Sequence, residues 1–171
     1  MIWFVRARSQ FASAVVGDGS VLSILSGYSP VEEGWAIPSM QIVKLDGPGE
    51  EHKLTIPGAS GEPYSARMAS SVALSTKQIL VTGGKGMEKD VFLISGPGLK
   101  NWERQKGMKQ GRFCHSSIVT VLGGKESVLV AGGWNAKGQA LSSVELFSVK
   151  QNQWTFLEPL PSPRVDFTLQ V

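Results

Sequence analysis

The sequence has one cysteine, Cys114, and two histidines, His52 and His115. A single cysteine excludes an intrachain disulfide. Without a Cys-x-x-Cys or His-x-x-x-His pair there is no recognisable zinc site, and no metal or other cofactor is expected. No Asn-x-Ser/Thr acceptor occurs. The lack of both disulfides and glycosylation sites points to a reducing compartment, the cytoplasm. The apolar stretch Ile2–Val5 is too short for the core of a signal peptide, and no 18-residue apolar run exists. Standard secretion and a membrane span are therefore not expected of this stretch of sequence. Charged residues are only 18% of the chain, with a net charge of +3 and no run of four Lys or Arg. Such a surface is ordinarily solvated, so neither nucleic acid nor membrane is expected as a partner.

The chain is instead rich in apolar residues (42%) and in glycine (20 of 171). That composition excludes disorder and suits short strands joined by tight turns. No helical period is sustained anywhere. The dominant signal is internal repetition. Lys77–Gly84 (KQILVTGG) and Ser127–Gly133 (SVLVAGG) are apolar strands ending in glycine pairs, Gly83-Gly84 and Gly132-Gly133, which lie 49 residues apart. Downstream, Asp90–Ser95 matches Ser143–Ser148, Trp102 matches Trp154, Met108 matches Leu160 and Arg112 matches Arg164. The Trp-to-Met/Leu interval is six residues and the Trp-to-Arg interval ten in both copies. A fainter copy precedes them: Ser20–Gly27 stands where the glycine-pair strand belongs. Arg8, Arg67, Arg112 and Arg164 then mark units of about 50 residues, with spacings of 59, 45 and 52. In the clearest unit, strands are expected over about 113–122, 126–132, 142–149 and 153–158.

Glycine pair, Val-Glu-Leu-Phe strand, Trp, Met/Leu and Arg together resemble the kelch repeat. The resemblance implies an all-β, kelch-type β-propeller of about three four-stranded blades in an incomplete ring. The blades would be a degenerate one at 8–66, one at 67–111 and one at 112–163, with 164–171 the first strand of a further blade. Three blades do not close a ring, since propellers have four to eight. The expectation is a piece of a longer propeller, or self-association through open blade edges.

In such repeats the glycine pairs allow close approach of neighbouring blades, and Trp102 and Trp154 pack between blades. By the same resemblance Arg67, Arg112 and Arg164, and less directly Arg8, stand near the ligand-binding mouth, where they either hold acidic peptide groups or bridge blades through loop carbonyls. Tyr28, Lys85, Trp134 and Asn135 follow the glycine positions and begin loops on the same face. Trp134 and Trp35 are loop-tip aromatics, which either anchor an interface or fold back on their own loops. Cys114 and His115 fall next to each other on an expected inner strand, where alternation would send them to opposite faces. The two Gly-Gly-Lys sequences, 83–85 and 123–125, lack the spacing and following Ser or Thr of a phosphate loop.

The resemblance implies a module that binds a partner protein or peptide through blade loops, as a substrate-recognition part of a larger protein. The alternatives are an actin-binding kelch protein, or part of a propeller enzyme acting on sugars in the manner of a mutarotase or isomerase. With two scattered tyrosines, Tyr28 and Tyr64, and no nucleophile motif, no enzyme is expected.

Overall fold

The computed structural model describes residues 10–16, 21–25, 39–44, 47, 50–53, 67–75 and 77–170. Among them are three four-stranded antiparallel sheets. The first holds β1 (Ala12–Val16), β2 (Val21–Leu25), β3 (Ser39–Lys44) and β4 (Glu50–Lys53). The second holds β5 (Ser70–Ala73), β6 (Ile79–Thr82), β7 (Val91–Ser95) and β8 (Asn101–Arg104). The third holds β9 (Ser116–Leu122), β10 (Lys125–Ala131), β11 (Val144–Ser148) and β12 (Gln153–Leu157). Sequence order is spatial order in each sheet, so every connection joins antiparallel neighbours.

Burial shows how the sheets stack. Every residue of β6 is buried. A strand solvated on one face would alternate, so β6 must be covered on both faces. Ile79 and Val81 pack with Ala12, Ala14, Leu25 and Met40 of the first sheet. Leu80 packs the other way, with Val128, Val130, Phe147 and Trp154 of the third. At the inner edges β1 lies against β5, and β5 against β9. Face-to-face four-stranded meanders gathered along their first strands are the blades of a β-propeller, the fold class the repeat implied. The largest regular departure from strand among the described residues is a single 3-10 turn, Pro97–Leu99. No helix among the described residues is long and apolar enough to cross a membrane.

Trp154 is 5% exposed, and its ring lies 4.8 Å from Phe147. Its indole N–H donates to the Lys106 carbonyl of the preceding repeat at 2.7 Å. Burying such a ring removes on the order of 200 Å² from water, about 5 kcal/mol before chain entropy is set against it. Trp102 is half-buried, 6.1 Å from Phe92, at the equivalent place between the first and second sheets.

Two expectations need correction. The inner strand of the third sheet begins at Ser116 and not near 113, because Cys114 has φ 53°, which breaks the extended backbone. Residues 164–170 form no strand ladder. They are held beside the third sheet by Gly133 N–H to Arg164 O (2.7 Å), Asp166 N–H to Cys114 O (3.1 Å) and Leu169 N–H to Ser116 Oγ (2.9 Å).

Candidate binding face

Strand direction brings loops 83–90, 105–115 and 132–143, together with segment 158–169, to one end of the sheets. The opposite end has shorter turns at 74–78, 96–100, 123–124 and 149–152. Long loops on a rigid scaffold are where propellers and similar folds place recognition.

Near the inner edge of this long-loop end, four residues repeat one backbone feature. Gln10, Met68, Cys114 and Asp166 have φ of 53°, 61°, 53° and 50°. Met68 N–H donates to Gln10 O (2.9 Å), Cys114 N–H to Met68 O (2.9 Å) and Asp166 N–H to Cys114 O (3.1 Å). A left-handed backbone at a residue with a Cβ costs about 1–2 kcal/mol, so it persists only where the surroundings impose it. Here the constraint is this relay of hydrogen bonds from one repeat to the next.

The relay sets the true register of the repeats. Met68 corresponds to Cys114, so Ala66 is the counterpart of Arg112, and Arg67 that of Phe113. The bridges agree: Arg67 pairs with Lys85 as Phe113 pairs with Trp134. The sequence alignment of Arg67 with Arg112 was therefore one residue out. Arg67 is half-buried at the loop end and is not a member of the Arg112 series. Arg164 is a member: Gly133 N–H donates to its carbonyl as Gly84 N–H donates to that of Arg112.

Arg112 itself does not face a ligand. It is fully buried, and its Nη2 donates to Glu145 Oε1 at 2.8 Å, with both side chains 0% exposed. It also donates to Gly132 O (2.7 Å), Ser143 O (3.2 Å) and Ser143 Oγ (3.1 Å). Glu145 in turn accepts from the amides of Lys109 (2.8 Å) and Gln110 (3.0 Å). Burial lowers the Arg112 pKa and Glu145 opposes the shift; a guanidinium stays protonated regardless. Of the two roles open to this arginine, the structure gives it the bridging one. Glu145 was overlooked, yet a single carboxylate inside Val-Glu-Leu-Phe was the visible sign that a buried cation had to meet it.

The remaining expected residues divide. Arg164 and Lys85 are exposed on the long-loop end. Trp134 is half-buried and folds back into bridges with Phe113 and Ala140, so it shapes its loop more than it projects from it. Asn135 is likewise occupied within its own turn, where its Oδ1 accepts from the amides of Lys137 and Gln139, both at 2.9 Å. Gly83 and Gly132 have φ of 60° and 63°, and a Cβ on either would strike the carbonyl of Arg112 or Arg164 respectively. Gly84 and Gly133 also have positive φ. Arg8, Tyr28 and Trp35 lie outside the described residues.

Two concavities open on this end. One, of about 310 Å³, sits at the inner edge and is lined by Gln10, Met68, Cys114, His115, Asp166 and Phe167 among others. Cys114 and His115 both line it, against the expectation from strand alternation, because the left-handed turn at Cys114 interrupts that alternation. The chemistry there is quiet. Burial and the Asp166 carboxylate push the Cys114 thiol up to about 12, so it is not a thiolate at neutral pH. Burial, with the charge of Arg112, holds His115 down at about 3. No group of three His, Cys, Asp or Glu able to hold a metal occurs among the described residues. The other concavity, of about 640 Å³, is a groove between loop 86–90 and loop 135–139, with residues 109–111 as its floor.

Residues 119–161, which span the third sheet, match the Kelch motif. The chain carries a kelch motif. Alpha-scruin of Limulus polyphemus is 34% identical over 64 residues, covering 37% of this chain and 6% of that protein. Beta-scruin of the same organism is 34% identical over 65 residues, 38% of this chain and 7% of that protein. The tRNA wybutosine-synthesizing protein 4 of Aspergillus fumigatus is 32% identical over 100 residues, 55% of this chain and 9% of that protein. The chain thus spans less than a tenth of each of these relatives. Among solved structures, YjhT superposes with a TM-score of 0.63 at 18% identity, covering 90% of this chain and 46% of that one, which establishes the shared fold. Kelch repeats generally mediate protein–protein interaction. The expectation that no enzyme is involved is withdrawn, because one of these relatives is named for a biosynthetic activity on tRNA.

Proposed function

We propose that this kelch chain is a client-recognition part of a larger protein and takes its partner on the long-loop end of the blades. The observation that carries this reading is that the inner hollow and the inter-blade groove both open on that end. Concave sites of about 300–1,000 Å³ are the size that holds side chains or short segments of a ligand. The loops around them are fixed by hydrogen bonds to the sheets, so little ordering would oppose binding.

The test is a random-peptide display selection against the chain, followed by photo-crosslinking of the selected binders. A crosslinkable residue is placed at Ala136 or Asp166 on the long-loop end, or at Gly123 or Lys150 on the opposite end. Crosslinking at the first pair and not the second is expected. Crosslinking confined to the second pair would overturn the reading.

A further inference from the structure

We infer that the groove between the second and third sheets takes an acidic peptide segment of the partner, laid across Lys89, Lys109 and Lys137. This rests on the long-loop end being the partner face. Each lysine comes from a different piece of chain: Lys89 from one wall, Lys137 from the other and Lys109 from the floor. All three are exposed. No carboxylate pairs with any of them among the described residues.

The acids that share the groove are already engaged. Glu88 Oε1 accepts the Gly86 amide at 3.0 Å, and Asp90 is ion-paired with Arg104. Glu88 keeps its charge, but the three lysines, with Lys109 Nζ 5.9 Å from the centre of the Phe156 ring, outnumber it and leave the groove net positive. No aromatic ring lines the groove for a nucleobase to stack on, which favours a carboxylate-rich peptide over single-stranded nucleic acid.

The cations are also presented on fixed supports. In the floor, the amides of Lys109 and Gln110 are held by the buried Glu145 carboxylate. One wall is tied to that floor by Arg112 N–H to Glu88 O (2.8 Å) and Met108 N–H to Lys89 O (2.9 Å). The other wall is a turn closed on Asn135, whose Nδ2 donates to Gln139 Oε1 at 2.9 Å. The same Glu145 that neutralises Arg112 thus fixes the height at which Lys109 stands. Contacts between exposed charges are individually weak and salt-screened, so the groove suits a transient contact that steers and orients a partner.

The experiment uses a fluorescein-labelled twelve-residue peptide of alternating Glu and Gly, with the Gln–Gly peptide as neutral control, and reads anisotropy at low and high salt. The chain should bind the Glu peptide and not the Gln peptide, and lose affinity as salt rises. Each of Lys89→Glu, Lys109→Glu and Lys137→Glu should weaken binding about three- to tenfold, and the triple variant more than any single one. At about 0.1 M salt the charge-matched triple Lys100→Glu, Lys125→Glu and Lys150→Glu should leave it within about twofold, since those sites stand at the far end of the strands, about 17 Å away or more, beyond the Debye length of about 10 Å. Equal losses in the two triples would reduce the effect to net charge and overturn the inference. So would tighter, groove-dependent binding of a single-stranded RNA of matched charge. Display-selected binders that crosslink on the long-loop end yet ignore the groove triple would overturn this inference and leave the proposed function standing.

Discussion

The second and third sheets are copies of one blade, but they fill one buried position with opposite chemistry. In the third sheet the pair is Arg112 and Glu145, both without solvent exposure. In the second sheet Phe92, 1% exposed, takes the place of Glu145, and in the sequence Ala66 stands two residues before Met68 as Arg112 stands two before Cys114. In sequence, then, arginine goes with glutamate and alanine with phenylalanine. A buried charge is tolerable only with its counter-charge and hydrogen bonds, which Arg112 makes through Nη1 and Nη2, so the two members must change together. Phe92 also lies against Trp102, and in the third sheet Trp154 stacks on Phe147 and donates to the Lys106 carbonyl.

The sharpest way to break this comparison is to remove one member. Arg112→Ala should cost about 3–5 kcal/mol, because it leaves the Glu145 carboxylate buried with its main partner gone. Importing the second sheet's solution, Arg112→Ala with Glu145→Phe, should recover most of that loss, to within about 2 kcal/mol of the parent. Urea unfolding of the parent, both single variants and the double variant closes the cycle. A double variant no more stable than Arg112→Ala would show that the two positions are not exchangeable as a pair. The double variant also removes the carboxylate that holds the Lys109 and Gln110 amides, so a stable fold with a weakened groove would separate blade packing from the binding floor.

The tryptophans give the next test. Trp154 is buried, at 5% exposure, and Trp102 is half-buried. Trp154→Ala should cost about 3–5 kcal/mol, and Trp102→Ala roughly half as much, in proportion to the apolar area each removes from water. Trp154→Phe keeps most of the packing and isolates the bond to Lys106 O, worth about 1 kcal/mol. Equal losses for the two alanine variants, measured by chemical denaturation, would mean that exposure does not rank these contacts.

The comparison also explains what was legible in the sequence. The glycine pairs could be read because backbone geometry forces the residue type: a Cβ at Gly83 or Gly132 meets a carbonyl of the next repeat. The tryptophan spacing could be read because each ring fills the equivalent gap between its own sheet and the one before it. The register of Arg67 could not. It rests on left-handed residues that are Gln, Met, Cys and Asp, and such a mixed set leaves no pattern. An arginine one place away from the right position then imitated the motif. The lysine groove was hidden for a different reason. Its three cations are far apart in sequence and meet only when loops of neighbouring blades come together.

The smallest expected effect concerns the residue that packs on the first glycine of each pair. His115 lies against Gly83, and Phe167 lies in the same way against Gly132. The histidine Nε2 is 2.8 Å from Thr82 Oγ1, and burial with the nearby Arg112 charge lowers its pKa from 6.5 to about 3. The folded chain therefore keeps His115 neutral at a pH where the unfolded chain protonates it. Stability from this site is complete above pH 6.5 and is lost as pH falls toward the folded value, at up to about 1.4 kcal/mol per pH unit. His115→Phe puts into the third sheet the residue that the next repeat already uses. At pH 7.5 the variant should be about 1 kcal/mol less stable, since the Thr82 hydroxyl loses its shorter hydrogen bond and keeps only the 3.4 Å one to Ser70 O. By pH 5 the order should reverse, because phenylalanine has nothing to protonate. Urea midpoints of parent and variant at pH 7.5, 6 and 5 test this directly. Parallel pH curves would mean that His115 is not held neutral. A shallower acid loss in the Arg112→Ala, Glu145→Phe background would show the guanidinium acting on the imidazole, and would tie this contact to the same pair that distinguishes the two blades.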